Sequence, residues 1–136
     1  MQNRITQMLG VQYPIVQAPM GWIARAPLAS AVSNAGGMGI IETSSGALDE
    51  VRAEITKMRT LTDKPFGVNL ITMHPQLTDL IAVCAQHKVT HVVLAGGLPP
   101  AGAIEQIKAF GAKVICFAPA LSLAKKLVRS GVDALV

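Results

Sequence analysis

With 136 residues, 51% hydrophobic and 15% charged, the chain is long enough for one well-buried domain and apolar enough for a sheet covered on both faces. No stretch approaches the roughly 18 uninterrupted apolar residues of a membrane span, and residues 1–14 lack the charge and apolar core of a signal peptide. The net charge of +4 is scattered and only 4% of residues are aromatic, which argues against nucleic-acid binding and is compatible with an anionic small ligand.

The spacing predicts a short lead-in helix or turn over residues 4–10. Gly10 and Pro14 bracket the entry to a first strand, Pro14-Ile15-Val16-Gln17. Pro27 can occupy the first turn of a helix running to about Ala35. Leu28, Ala31, Val32 and Ala35 fall on one face of it. Gly36-Gly37 stops that helix, and Gly39-Ile40-Ile41 follows as a short buried strand. Residues 48–61 form the clearest amphipathic helix, with Leu48, Val51, Ile55, Met58 and Leu61 as its apolar stripe.

Asp63-Lys64-Pro65 is a turn before a third strand, Phe66-Gly67-Val68-Asn69-Leu70. The next helix spans residues 75–87, with Leu77, Leu80, Ile81 and Cys84 facing inward. His91-Val92-Val93-Leu94 is a fourth strand, and Gly96-Gly97 and Pro99-Pro100 make the loop after it. A helix over 103–110, a strand Val114-Ile115-Cys116-Phe117, a helix over 121–130 and a last strand Asp133-Ala134-Leu135-Val136 complete the pattern. Phe110-Gly111-Ala112-Lys113-Val114 and Ser130-Gly131-Val132-Asp133-Ala134 echo one another as helix end, glycine and strand start.

Successive strand starts lie roughly 20–27 residues apart, the length of a short βα unit, so the class is α/β with parallel strands. Two architectures fit. A doubly wound sheet of about five strands would carry a Gly-rich phosphate loop after its first strand. Here Ala18-Pro19-Met20-Gly21-Trp22 stands in that place, and Gly36-Gly37-Met38-Gly39 lies on the wrong side of its strand. The pattern favours a (β/α)8 TIM barrel, which needs about 250 residues. Residues 1–136 are then expected to be the N-terminal part of one barrel domain: the first five βα units and a sixth strand that stops at Val136.

In either architecture chemistry collects where strands end. Gln17-Ala18-Pro19-Met20-Gly21-Trp22 can let a flat ligand approach the backbone, or can be an ordinary turn filled by Met20 and Trp22. Asn69 interrupts an apolar strand; its amide suits the edge of a heterocycle or can be satisfied by neighbouring backbone. Gly97 allows close approach or simply makes a loop, and Pro119 is equally ambiguous. Glu42, Thr43, Ser44 and Ser45 follow the second strand and can contact substrate or cap the next helix. His74 sits on the same edge, His87 ends a helix, and His91 starts a strand at the opposite edge. No catalytic triad, paired carboxylates or metal-ligand cluster is evident. Cys84 and Cys116 belong to no CxxC pair and read as buried thiols of a reducing, cytoplasmic compartment.

In this order, several stretches resemble the nitronate monooxygenase (2-nitropropane dioxygenase) family and the related flavin-dependent enoyl-acyl-carrier-protein reductases. They are Tyr13-Pro14-Ile15-Val16-Gln17-Ala18-Pro19-Met20-Gly21-Trp22, Ala31-Val32-Ser33-Asn34-Ala35-Gly36-Gly37-Met38-Gly39-Ile40-Ile41 and, most specifically, Leu61-Thr62-Asp63-Lys64-Pro65-Phe66-Gly67-Val68-Asn69-Leu70. Gly131-Val132-Asp133-Ala134-Leu135-Val136 matches the start of the sixth strand. The resemblance implies an FMN-binding barrel, with the flavin ring over Ala18, Pro19, Met20 and Gly21, Asn69 hydrogen-bonded to it and Gly97 lining the pocket. It also implies that the catalytic His after the sixth strand and the FMN phosphate site lie beyond Val136, so this segment alone is expected to be inactive.

The best-defined bacterial monooxygenases carry a Lys in the fifth strand. This chain has Val114-Ile115-Cys116-Phe117-Ala118-Pro119 there, a pattern closer to the reductases. Three functions follow: oxidation of alkyl nitronates with O2; NAD(P)H-dependent reduction of an enoyl thioester; or a noncatalytic half-barrel that binds another chain. The expected partner is a small-molecule substrate, with no nucleic acid or membrane, and a homodimer is allowed.

Overall fold

Apolar runs too short for helices, each closed by a turn, pair here into one parallel sheet. A computed structural model of the protein describes residues 2–136. Its strands are β1 (Gly39–Ile41), β2 (Phe66–Ile71), β3 (His91–Ala95), β4 (Lys113–Cys116) and β5 (Ala134–Leu135). They lie side by side in chain order, every neighbouring pair parallel. The helices are α1 (Arg4–Leu9), α2 (Ala26–Asn34), α3 (Leu48–Leu61), α4 (Leu77–Gln86), α5 (Ala103–Ala109) and α6 (Leu121–Arg129). A doubly wound sheet reverses its strand order partway; this one does not, which is the progression of a (β/α)8 barrel and identifies the fold as part of one.

The first predicted strand is reduced to a single parallel bridge, Val16 to Met38. Gln17 N donates to Met38 O at 3.0 Å and Met38 N to Ile15 O at 2.9 Å. Pro14 and Pro19 have no N–H to extend the ladder in either direction. The Gln17 side chain continues it instead, Nε2 donating to Ile40 O at 2.9 Å.

Helix α2 buries a different face from the expected one. Ala26, Ala29, Ser30 and Ser33 are buried, whereas Ala31 and Ala35 are exposed and Leu28 and Val32 half-buried. Close approach decides this. A Cβ on Gly39 would stand 1.9 Å from the Ala29 carbonyl oxygen, so helix and strand nearly touch and only small side chains fit between them. The serine in this seam is satisfied: Ser33 Oγ donates to Pro65 O at 2.9 Å and accepts from Gly39 N at 3.1 Å. The other helices follow the sequence pattern, with Val51, Ile55 and Met58 of α3 and Leu77, Leu80, Ile81 and Cys84 of α4 buried.

Alternation along the strands divides the core into two layers. Ile41, Val68, Leu70, Val92, Leu94 and Val114 face the helices. Met38, Ile40, Val93 and Ile115 face the barrel interior, where Leu9 of α1 joins them. An Asn3–Thr6 capping box starts α1. The helix closes the N-terminal end of the barrel, and the His91 ring Nε2 lies 3.0 Å from Met8 O.

Candidate active site

The turn that precedes α2 and the loop after β1 assemble around one carboxylate. Glu42 follows β1 and continues the inward alternation of Met38 and Ile40; it is only 1% exposed. It accepts from Trp22 N at 3.2 Å, Ser44 Oγ at 2.8 Å, Ser45 N at 3.3 Å and the Ser45 hydroxyl, and it pairs with Arg25 Nε at 3.0 Å. Burial raises the Glu42 pKa, but the Ser45, Ser44 and Trp22 donors and the Arg25 charge together hold it below the ordinary carboxylate value. Residues 42–45 therefore do not cap the next helix: α3 begins after Ala47, which makes no side-chain cap bond. Glu42 instead clamps the turn that leads from Ala18 to Arg25.

That turn carries strain. Trp22 has φ +64°, rare for a bulky side chain, and is 75% exposed. The Arg25 guanidinium lies 5.7 Å from its ring centroid. Met20 and Gly21 sit on the same turn. Met20 is exposed, and a Cβ on Gly21 would have Ser44 Oγ as its nearest neighbour, at 3.8 Å.

Asn69 of β2 is 2% exposed and shares its inward-facing row with Val93, Ile115 and Ala134. Its Nδ2 donates to Val93 O at 3.0 Å, and its backbone carbonyl accepts from Thr43 Oγ1 at 2.7 Å. Gly96 and Gly97, after β3, have φ +99° and +112°. A Cβ on Gly97 would meet nothing within 4 Å, so Gly97 faces open space, whereas one on Gly96 would stand 3.3 Å from Ile71 Cγ2. Among the described residues, two buried polar atoms on this edge have no hydrogen-bond partner: Gln17 Oε1 and Thr72 Oγ1.

A cavity of about 240 Å³ occupies the barrel interior, its wall almost wholly apolar; Gln17, Ala18, Pro19, Val93, Ile115 and Phe117 are part of it. Of the predicted site residues, Ala18 and Pro19 line this cavity. Met20 and Gly21 lie on the adjoining turn, Asn69 in the neighbouring strand row, and Gly97 on the loop after β3. Sequence reasoning missed the clamp by Glu42 and Arg25 and the two unpartnered oxygens. A glutamate directly after a fully buried strand was the available signal.

The histidines separate as their positions suggested. His74 is on the site's edge, its Nδ1 accepting from Gln76 N at 3.0 Å. His87 is the C-cap of α4. His91 lies at the opposite end; burial lowers its pKa, with the nearby Lys113 charge acting in the same direction against the Met8 carbonyl and Asp133.

A sequence model of the nitronate monooxygenase family matches residues 2–87. Over its whole length the chain is 37% identical to a (3aS,4S,5R,7aS)-5-hydroxy-7a-methyl-1-oxo-octahydro-1H-indene-4-carboxyl-CoA dehydrogenase of Mycobacterium tuberculosis, 38% of which it covers. It is 49% identical over 79 residues to a nitronate monooxygenase of Pseudomonas aeruginosa, a match covering 58% of this chain and 22% of that protein. Among solved structures it is similar to FabK from Thermotoga maritima, with a TM-score of 0.95 and 40% identity over 99% of this chain and 43% of that one. The chain thus spans less than half the length of these relatives.

Proposed function

The chain belongs to the nitronate monooxygenase family, and we propose that it builds the flavin-ring side of an FMN-dependent oxidoreductase barrel that oxidises alkyl nitronates with O2. One observation carries this reading. A turn of small residues, clamped by a buried carboxylate, stands at the barrel mouth beside a buried amide and an unpartnered Gln17 Oε1.

These residues fit a flavin. Ala18 and Pro19 give a flat apolar wall against the interior cavity, and Met20 beside them is polarizable. Asn69 and Gln17 offer amide groups of the kind a ring's polar edge needs. Gly97 leaves room for close approach. When bound, FMN would supply the two-electron redox chemistry. The chain's own task is to hold the ring in one orientation: Glu42 fixes the path of the turn through Trp22 N, and Asn69 is anchored through Val93 O. The proton-transfer group and the phosphate cradle belong, in this reading, to the further strands that make up the rest of such a barrel. The reading includes a small-molecule substrate and a cytoplasmic setting. Among the described residues no helix is long and apolar enough to cross a membrane.

A second substrate class, an acyl thioester, is favoured by one observation: along essentially the whole chain the identity is 37% to a carboxyl-CoA dehydrogenase and 29% to a nitronate monooxygenase. Assays of the complete polypeptide separate the two. Nitronate-dependent O2 uptake without nicotinamide supports the monooxygenase. NAD(P)H oxidation stimulated by an enoyl thioester, without nitronate turnover, supports the thioester enzyme. A protein that binds no FMN contradicts both.

A further inference from the structure

Positive charge that is scattered along the sequence is gathered by the fold. Eight of the 12 Lys and Arg residues come to the end of the sheet where the strands begin, opposite the candidate site. Arg59, Lys108, Lys126 and Arg129 stand in the last turns of α3, α5 and α6. Lys64 and Lys88 precede β2 and β3, Lys113 opens β4, and Arg4 is on α1, which covers this end. All eight are exposed. Of the eight carboxylates only Asp63 and Asp133 lie here; the other six follow β1 or occupy the first halves of α3, α4 and α5. This end therefore carries a net charge of +6 and the rest of the chain −2.

Helix dipoles explain only part of this polarity. A cation at a helix C-terminus is favoured, which accounts for Arg59, Lys108, Lys126 and Arg129. It does not account for Arg4 at the N-terminus of α1, nor for Lys64 in a turn and Lys113 in a strand. Nor is the charge neutralised locally. Lys108 and Lys113 share Asp133 at 3.4 Å each, and Lys64 lies 3.9 Å from Asp63. Arg4, Arg59, Lys88, Lys126 and Arg129 have no carboxylate partner among the described residues. Two large side chains accompany them: Tyr13, which precedes the Val16 bridge, and Leu61, the last residue of α3, are each 43% exposed. Anionic headgroups would take the cations, while Tyr13 and Leu61 reach the interface between headgroups and acyl chains. Nucleic acid would gain nothing from Leu61 and would find no row of aromatic rings to stack on. We propose that this end docks the protein on an anionic lipid surface, with the barrel mouth turned away from it and open.

The test is flotation of the complete polypeptide with vesicles of phosphatidylcholine and phosphatidylserine, against vesicles of phosphatidylcholine alone. Binding is expected only to the anionic vesicles, and it should fall as salt is raised from about 0.1 to 0.5 M. Arg4→Gln and Lys64→Gln change exposed residues and should each weaken binding about fivefold. Arg52→Gln, in the half of α3 nearer the mouth, should leave it unchanged. Circular dichroism verifies that the variants are folded. No binding to anionic vesicles, equal binding to neutral ones, unchanged affinity in both end variants, an equal loss in Arg52→Gln, or tighter binding to a DNA duplex would overturn the proposal. None of these outcomes depends on whether FMN binds.

Discussion

A carboxylate 1% exposed must find donors, and Glu42 collects them from two loops and Arg25. Replacing it by Gln removes the charge and is expected to cost about 2–3 kcal/mol of stability at neutral pH, read from urea unfolding. The sign of the pH dependence follows from its lowered pKa. In the unfolded chain Glu42 titrates at its ordinary value of 4.5, and in the folded protein below that. Its contribution is therefore complete above pH 4.5 and is lost as pH falls through the folded value. The stability gap between wild type and Glu42→Gln should close on acidification; a gap that widens contradicts the clamp. Asn69 was legible in the sequence because a polar residue inside an apolar strand stands out. Glu42 stood out only as a polar residue after a buried strand; its clamping role was not legible, because its partners Trp22 and Arg25 lie about 20 residues away and only folding brings them together.

At the scale of elements, α2 and β1 pack backbone to backbone. Gly39→Ala would drive a Cβ to 1.9 Å from Ala29 O, so one element must move, at a cost of about 3 kcal/mol or more. Gly97→Ala meets no atom within 4 Å and carries only the penalty of its positive φ, about 1–2 kcal/mol. Urea midpoints of the two variants should rank in that order, and a reversed ranking contradicts the tight seam. The same seam explains why periodicity chose the wrong face of α2. Apolar spacing ranks Leu28 and Val32 above Ser30 and Ser33, but the space left beside Gly39 admits only small side chains. Periodicity succeeded for α3 and α4, whose larger side chains fill the layer outside the sheet. The first strand failed for a local reason visible in the sequence, prolines on both sides of a single bridge.

At the scale of the molecule, the order of the sheet was legible in the regular spacing of the strands. The closure of its N-terminal end by α1 was not, because it depends on Leu9 joining strands distant in sequence and on the Met8–His91 contact, 83 residues apart. The flavin reading makes a linkage prediction: FMN at about 100 times its Kd should stabilise the complete polypeptide by about 2.7 kcal/mol, seen as a concentration-dependent rise in Tm. The most direct test is equilibrium FMN binding to the complete polypeptide, wild type against Asn69→Ala, with circular dichroism to verify that both are folded. The wild type is expected to bind FMN and the variant to bind about tenfold more weakly, the loss of one well-placed hydrogen bond. Equal affinity in the two folded proteins would remove Asn69 from the site, and no FMN binding by the wild type would rule out a flavin at this barrel mouth.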